Sequence, residues 1–313
     1  MRIGILIDSA CDLPKDFLDA HDVRIMPITL RIGDLLLEDR RDPVATQAFY
    51  ARQLDNKGED YAESIPYSVE KIKQLFLEQL VLDFDYVFCL TITSTRSAIF
   101  DNAMQASRSI LTQYKAIRRE AGIPERFGLA VLSTRNLFTG QAVPVVEVVR
   151  MIRQGGTPSE IGERLQSLIN QTHAYLVPAD LFYIYKRASK KGDSSLSWGS
   201  YTLGSWLDVK PIIHCNQDVT DTVDRVRGYE AAVEKMFSMA TRRVQAGLLA
   251  PCVCLSYGGD LEVVSRMPGY QQLAQAVADN GATLLLAPMS TTTVINVGPG
   301  ALALGLAAKE GMH

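Results

Sequence analysis

The sequence has little of what metal, redox or nucleic-acid chemistry needs. Four histidines and five cysteines occur in 313 residues. His21, His173, His214 and His313 are scattered, and Cys11 and Cys89 stand alone, so neither residue type has the spacing of a zinc site. Five cysteines in a chain of this length do not make a disulfide framework either. Cys252 and Cys254, one residue apart, are expected on opposite sides of a strand. No metal site and no cofactor are expected. An excess of one charge sign is also lacking. Lys plus Arg is 32 against 35 for Asp plus Glu, a net charge of −3, which argues against a strongly cationic nucleic-acid binder. No apolar run reaches the roughly 18 residues of a membrane span. The N-terminus carries one Arg and a short apolar run closed by Asp8, which does not read as a secretory signal. A cytoplasmic protein without integral membrane association is expected. The phosphate loop, the dinucleotide fingerprint and the G-x-S-x-G nucleophile elbow are all missing.

What is present is a core. Hydrophobic residues make up 47% of the chain and charged residues 21%, enough to bury apolar surface over about two domains. Short β-rich runs alternate with helix-like stretches. Arg2–Ile7, Ile25–Ile32, Tyr86–Ile92 and Leu129–Leu132 read as strands, with helices over Val69–Leu82 and Ala98–Arg119. Helices follow over Ala142–Arg153 and Glu160–Gln171, the second capped by Ser159. Ala174–Val177, Pro211–Cys215, Pro251–Tyr257, Thr283–Pro288 and Val294–Val297 read as further strands. Gly228–Gln245 and Tyr270–Asp279 read as helices, and an Ala/Leu-rich terminal helix should follow Gly298-Pro299-Gly300. This alternation implies an α/β fold with a mostly parallel sheet in the N-terminal half. The expected domains are 1–160 and 161–313, with the boundary falling within about 155–172.

Hydroxyl residues gather where strands end. Tyr86–Leu90 runs into Thr91-Ile92-Thr93-Ser94-Thr95-Arg96-Ser97, and a helix begins near Ala98. Open α/β sheets bind ligands outside the carboxyl ends of their strands, and a helix N-terminus favours an anion there. Ser94 or Ser97 could equally cap the helix. Asp8-Ser9-Ala10-Cys11-Asp12-Leu13-Pro14 is a second such turn, with Asp12 as a helix N-cap and Asp8 as a candidate active carboxylate. Ser133 and Thr134 form a third. Lys186, Arg187, Lys190 and Lys191 make a local basic segment, either a solvated loop or a surface for an anion or an acidic partner. Abundant hydroxyls with little acid–base machinery suit binding better than turnover.

Taken in order, these segments resemble the DegV family of bacterial fatty-acid-binding proteins, over nearly the whole chain. The family's D-S-x-x-D-L-P turn is Asp8–Pro14. Its S-S-x-L-S-G-T-Y stretch resembles Thr93–Phe100, and its V-I-D-S segment resembles Val131–Thr134. The L-G-x-x-L-x-I-K-P-I stretch resembles Leu203–Ile212, the K-V-R element Arg225–Arg227, and the closing H-x-G-P-G Asn296–Gly300. The resemblance implies two α/β domains with a long-chain fatty acid between them. It also implies a carrier, not an enzyme, that presents the acid to a separate fatty-acid kinase. Head-group contacts would come from Ser64, Thr93, Ser94, Ser97 and Asn296, with Glu63, Arg227, Lys190 and Lys191 as further candidates. The chain departs from the family at three points. Glu63 stands where the family's T-S-Q-P motif has Thr, and an ionised Glu63 facing the site would repel a carboxylate. Asn296 replaces a His, and the family's G-G-R is not recognisable at Gly192-Asp193-Ser194. These departures leave open a site for a different amphiphile or small anion. A phosphoryl- or acyl-transfer enzyme built on Asp8 is the alternative from another class.

Overall fold

The computed structural model describes residues 1–53, 62–185 and 208–309. The basic segment with Lys190 and Lys191 lies outside the described residues. Three sheets organise the rest. The first is parallel, in the order β2-β1-β6-β7, from β1 (Ile3–Asp8), β2 (Val23–Met26), β6 (Tyr86–Thr91) and β7 (Gly128–Ser133). Parallel pairing puts the carboxyl ends of all four strands on one edge, so Asp8, Thr91 and Ser133 end side by side. The second sheet is antiparallel, with β3 (Ile28–Ile32) between β4 (Leu35–Asp39) and β5 (Ala62–Ile65). The expected single strand Ile25–Ile32 therefore divides at Pro27, and its two halves join different sheets. Proline cannot donate to a ladder, and the next amide, Ile28, donates instead to Ser9 Oγ at 2.9 Å.

The third sheet is mixed, in the order β10-β9-β8-β13-β11-β12. Its strands are β8 (Thr172–Val177), β9 (Val209–Asn216), β10 (Val219–Arg227), β11 (Cys252–Tyr257), β12 (Thr283–Pro288) and β13 (Leu302–Ala307). Among the described residues of this sheet, only β11 and β12 pair in parallel. The Ala/Leu-rich segment after Gly300 is thus a central strand, not a helix. All six residues of β13 are buried, and a strand covered on both faces reads as a continuous apolar run. Packing selects the strand over the helix propensity of Ala and Leu. A Cβ added at Gly305 would meet the Thr139 carbonyl oxygen at 2.3 Å, so a helix seats against β13 only because that side chain is missing.

The helices are α1 (Lys15–Ala20), α2 (Pro43–Gln53), α3 (Val69–Leu75), α4 (Ile99–Ser109), α5 (Tyr114–Glu120), α6 (Thr139–Arg153), α7 (Pro158–Ile169), α8 (Tyr229–Ala246), α9 (Tyr270–Asp279) and α10 (Thr291–Val297). The expected helix Ala98–Arg119 is two helices joined by a tighter turn at Ile110–Thr112. The expected strand Val294–Val297 is helical, because Ser290 caps α10 by accepting from the Thr293 amide at 2.9 Å. Helix α7 is capped by Thr157, not Ser159, through a reciprocal bond pair with Glu160, and Pro158 opens the first turn.

Helix α6 joins the layers. Its apolar side packs in one core with Ile5, Ile7 and Leu90 of the parallel sheet and with Cys252, Cys254 and Ala307 of the mixed sheet. Cys252 and Cys254 therefore share a face of β11, while Val253 faces the core beneath α8 and α9. A strand's period of two requires this, correcting the expectation of opposite sides. A third core holds the other face of the parallel sheet together with α3, α4, β3 and α10.

Candidate functional site

A network of buried charge fixes the ground beneath the site. Asp8, at the end of β1, is fully buried and accepts from the amides of Ile92 (2.7 Å) and Ala10 (3.0 Å) and from Gln141 Nε2 (3.1 Å). Burial pushes its carboxyl up from 3.8 to about 6, against the pull of those three bonds. Its oxygens thus hold the turn after β1 to the turn after β6. Asp12 is not a helix cap, since Pro14 occupies that position before α1. It is buried and accepts from Arg41 Nη1 (3.2 Å), Ser256 Oγ (2.7 Å) and the Ser290 amide (2.8 Å). Burial raises its pKa, opposed by the Arg41 charge and by the bonds from Ser256 and Ser290. Asp39 accepts from both the amide and the hydroxyl of Thr292 at 2.8 Å. Tyr50 donates to the Met289 carbonyl. Through these bonds, α10 is anchored on the second sheet and on the first β-turn.

Above this network lies a cavity of about 350 Å³. Its apolar wall includes Ile28, Ile92, Leu137, Phe138, Ile184 and Ile213. Its polar lining is Ser64, Arg96, Ser97, Thr220, Thr292, Thr293 and Asn296. Each part of the lining comes from a different element: β5, the turn after β6, the β9–β10 hairpin, and α10. The turn after β6 opens α4, and Ser97 Oγ accepts from the Ile99 amide at 3.3 Å. Ser97 therefore satisfies the first amide of α4 and faces the cavity at once. Among the described residues, nothing accepts from the Ser97 or Ser64 hydroxyl. Asn296 gives one amide hydrogen to the Thr292 carbonyl at 2.7 Å and keeps the other.

The cavity brings together Ser64, Ser97 and Asn296 of the residues expected from sequence. Thr93 is buried and does not line it. Its hydroxyl donates to Asp218 Oδ1 at 2.6 Å. Ser94 is exposed and outside the lining. Glu63 points away. Alternation along β5 turns Ser64 inward and Glu63 outward, where it pairs with Arg31 at 2.9 Å, its register partner on β3. Arg227 is exposed on β10, apart from the cavity. The sequence reading missed Thr292, Thr293, Thr220 and Arg96. Ser290-Thr291-Thr292-Thr293 is a hydroxyl run like the one after β6, and that was the signal available. Thr220 carried none, because only the hairpin fold brings it beside Cys215, whose Sγ donates to its hydroxyl at 3.7 Å.

The hairpin is docked on the parallel sheet. Arg135 Nε meets Asp218 Oδ2 at 2.5 Å, Arg135 Nη1 reaches Asn170 Oδ1 at 2.8 Å, and the Asp218 amide donates to the Arg135 carbonyl at 2.9 Å. Arg135, Gln217 and Asp218 all have positive φ (53°, 49° and 71°), so two strained turns hold each other. Among the described residues, no group of three His, Cys, Asp or Glu side chains is placed to hold a metal ion, and no helix is long and apolar enough to cross a membrane.

Comparison with known proteins agrees in sequence and in fold. A family model described as "Uncharacterised protein, DegV family" matches residues 2–309. A DegV domain-containing protein of Xanthomonas axonopodis pv. citri is 46% identical over 99% of this chain and 98% of its own length. The structure of a DegV lipid binding protein of Thermotoga maritima superposes with a TM-score of 0.76 at 19% identity, covering 98% of this chain and 99% of that one. A stearic acid-binding protein of Eubacterium ventriosum gives a TM-score of 0.76 at 21% identity over 98% of both chains. At those identities the two structures show the shared fold, and the sequence matches show that this chain belongs to the DegV family.

Proposed function

We propose that the protein is a carrier that holds one long-chain fatty acid in the cavity between units 1–160 and 161–313. The observation that carries this reading is the lining itself: an apolar wall with unpaired hydroxyl and amide donors of Ser64, Ser97 and Asn296 on it. A carboxylate is an acceptor-only group and needs such donors, while an acyl tail needs the aliphatic wall. At about 0.8 kcal/mol per buried methylene, a tail of about fifteen gives roughly 12 kcal/mol before the cost of association, about 4–15 kcal/mol, is set against it. The stearic acid bound by the Eubacterium relative supports the same ligand class here. Because Glu63 is turned to Arg31, it does not set a negative charge against a carboxylate. Asp8 has both oxygens engaged inside the fold and does not line the cavity, which favours a carrier over an enzyme built on it. Phosphorylation of the carried acid then falls to a separate fatty-acid kinase, to which this protein presents it.

Gentle solvent extraction followed by lipid mass spectrometry, with native mass spectrometry for stoichiometry, tests the reading. One acyl chain per protein is expected. A protein that arrives empty and takes up no C14–C18 acid overturns it. Nucleotide-dependent formation of acyl phosphate by the purified chain alone replaces the carrier with an enzyme.

A further inference from the structure

Arg96 is the one charged side chain on the lining among the described residues; the other polar groups there are neutral hydroxyls and the Asn296 amide. The turn that bears it is fixed, with the Arg96 amide donating to the Thr93 carbonyl at 3.2 Å. Thr93 is itself held by Asp218, and the neighbours Ser97 and Ala98 also line the cavity. Across the cavity, Cys215 of β9 lies close enough for the Arg96 charge to act on its thiol, which burial pushes up to about 11 and Thr220 and Arg96 draw back. Arg96 of the turn after β6 and Cys215 and Thr220 of the hairpin line the same cavity, so the Arg96 charge bears on the space between them. Ala98, the cap of α4, offers no side-chain acceptor, and beyond the Ile99 amide held by Ser97 Oγ the positive end of the 11-residue helix α4 lies beside the same group.

We infer that Arg96 is the specificity determinant of this cavity, the group that selects an amphiphile with an anionic head over its neutral counterpart. The inference rests on the carrier reading and adds to it the source of head-group selection. A guanidinium has five N–H donors in a planar fork, so it can serve a carboxylate alongside an existing protein acceptor. Ser97, the next residue, adds a hydroxyl donor to the same head. A neutral alcohol or ester can use the hydroxyls and the wall but gains nothing from the charge.

Stearic acid, octadecanol and methyl stearate share a tail and differ at the head. Their affinities are to be measured for the wild type, Arg96→Leu and Arg96→Lys at pH 8. The wild type is expected to favour the acid over the alcohol and the ester by about tenfold or more, the scale of a charge-assisted bond. Arg96→Leu should lose that preference while still binding octadecanol, which also shows that its cavity is intact. Arg96→Lys should keep part of it. If the wild type prefers the acid and Arg96→Leu prefers it equally, Arg96 is not the determinant and the carrier reading stands. If the wild type binds the three alike, head-group charge is not read at all and the inference fails. Failure of the wild type to bind any of the three overturns the carrier reading, and the inference with it.

Discussion

Asp12 and Ser290, 278 positions apart in the chain, are joined by a 2.8 Å hydrogen bond from the Ser290 amide to Asp12 Oδ1. The same oxygen meets Arg41, and the other accepts from Ser256. One buried carboxylate thus ties the first turn to the start of α10, which carries Thr292, Thr293 and Asn296 to the cavity.

Asp12→Ala should leave Arg41 charged and buried without its carboxylate partner, with the Leu13 and Pro288 carbonyls as its remaining acceptors. The expected loss of stability is about 3–5 kcal/mol, the scale for breaking a buried pair from one side. Urea denaturation of the wild type and the variant measures it. A loss under 1 kcal/mol would mean that the pair is not what anchors α10.

Ser97→Ala removes a donor from the cavity and keeps the backbone turn. Fatty-acid affinity should fall by about 1–3 kcal/mol, as for a hydrogen bond to a charged group. Isothermal titration with stearic acid reads it, and an unchanged Kd with an unchanged melting curve would take Ser97 off the head group.

Asp218→Ala releases Thr93 and Arg135 together and leaves positive φ at three residues without the contacts that hold it. A stability loss of about 1–3 kcal/mol is expected. Faster amide exchange should appear in the β9–β10 hairpin rather than in β11 or β12. Uniform exchange across the mixed sheet would contradict the docking role.

Two groups set opposite pH dependences. His173 stacks on His214, with its Nδ1 2.9 Å from His214 Nε2 and its Nε2 3.2 Å from the Ala308 carbonyl. Burial, aided by the charges of Arg243 and His214, lowers its pKa from 6.5 to about 4. Its contribution to stability is complete above pH 6.5 and is lost as pH falls towards 4. Asp8 runs the other way. Its raised pKa means the folded state takes up a proton first, so stability rises as pH falls from about 6 to 3.8. Urea midpoints between pH 4 and 7 (a window spanning both groups) should climb on acidification in His173→Gln and drop more steeply than wild type in Asp8→Asn. Parallel profiles for all three proteins would refute both assignments.

Gly305→Ala places a methyl 2.3 Å from a backbone oxygen of α6 that cannot rotate aside. The variant should be destabilised by about 1–3 kcal/mol or more, as overpacking in a close-packed core is, visible as a lowered Tm. An unchanged Tm would show that α6 can move off β13.

Much of the architecture is written locally. Strands such as Tyr86–Thr91 and Thr283–Pro288 and the helix Tyr270–Asp279 follow from apolar periodicity, and the order of the hydroxyl turns marks the DegV family. The sequence alone also determined that the carboxyl ends of the parallel strands would carry hydroxyls, because strand direction and hydroxyl position are both local properties. Tertiary structure decided the remainder. Leu302–Ala307 became a strand because burial on both faces outweighs helix propensity. Val294–Val297 became helical because Ser290 and Asp39 satisfy its first turn. Ser64 was placed in the cavity and Glu63 outside it by the register of β5 on β3, and Thr93 was drawn to Asp218 by a hairpin 125 residues away. Which hydroxyl faces a ligand depends on such long-range contacts, and no local pattern in the chain encodes them.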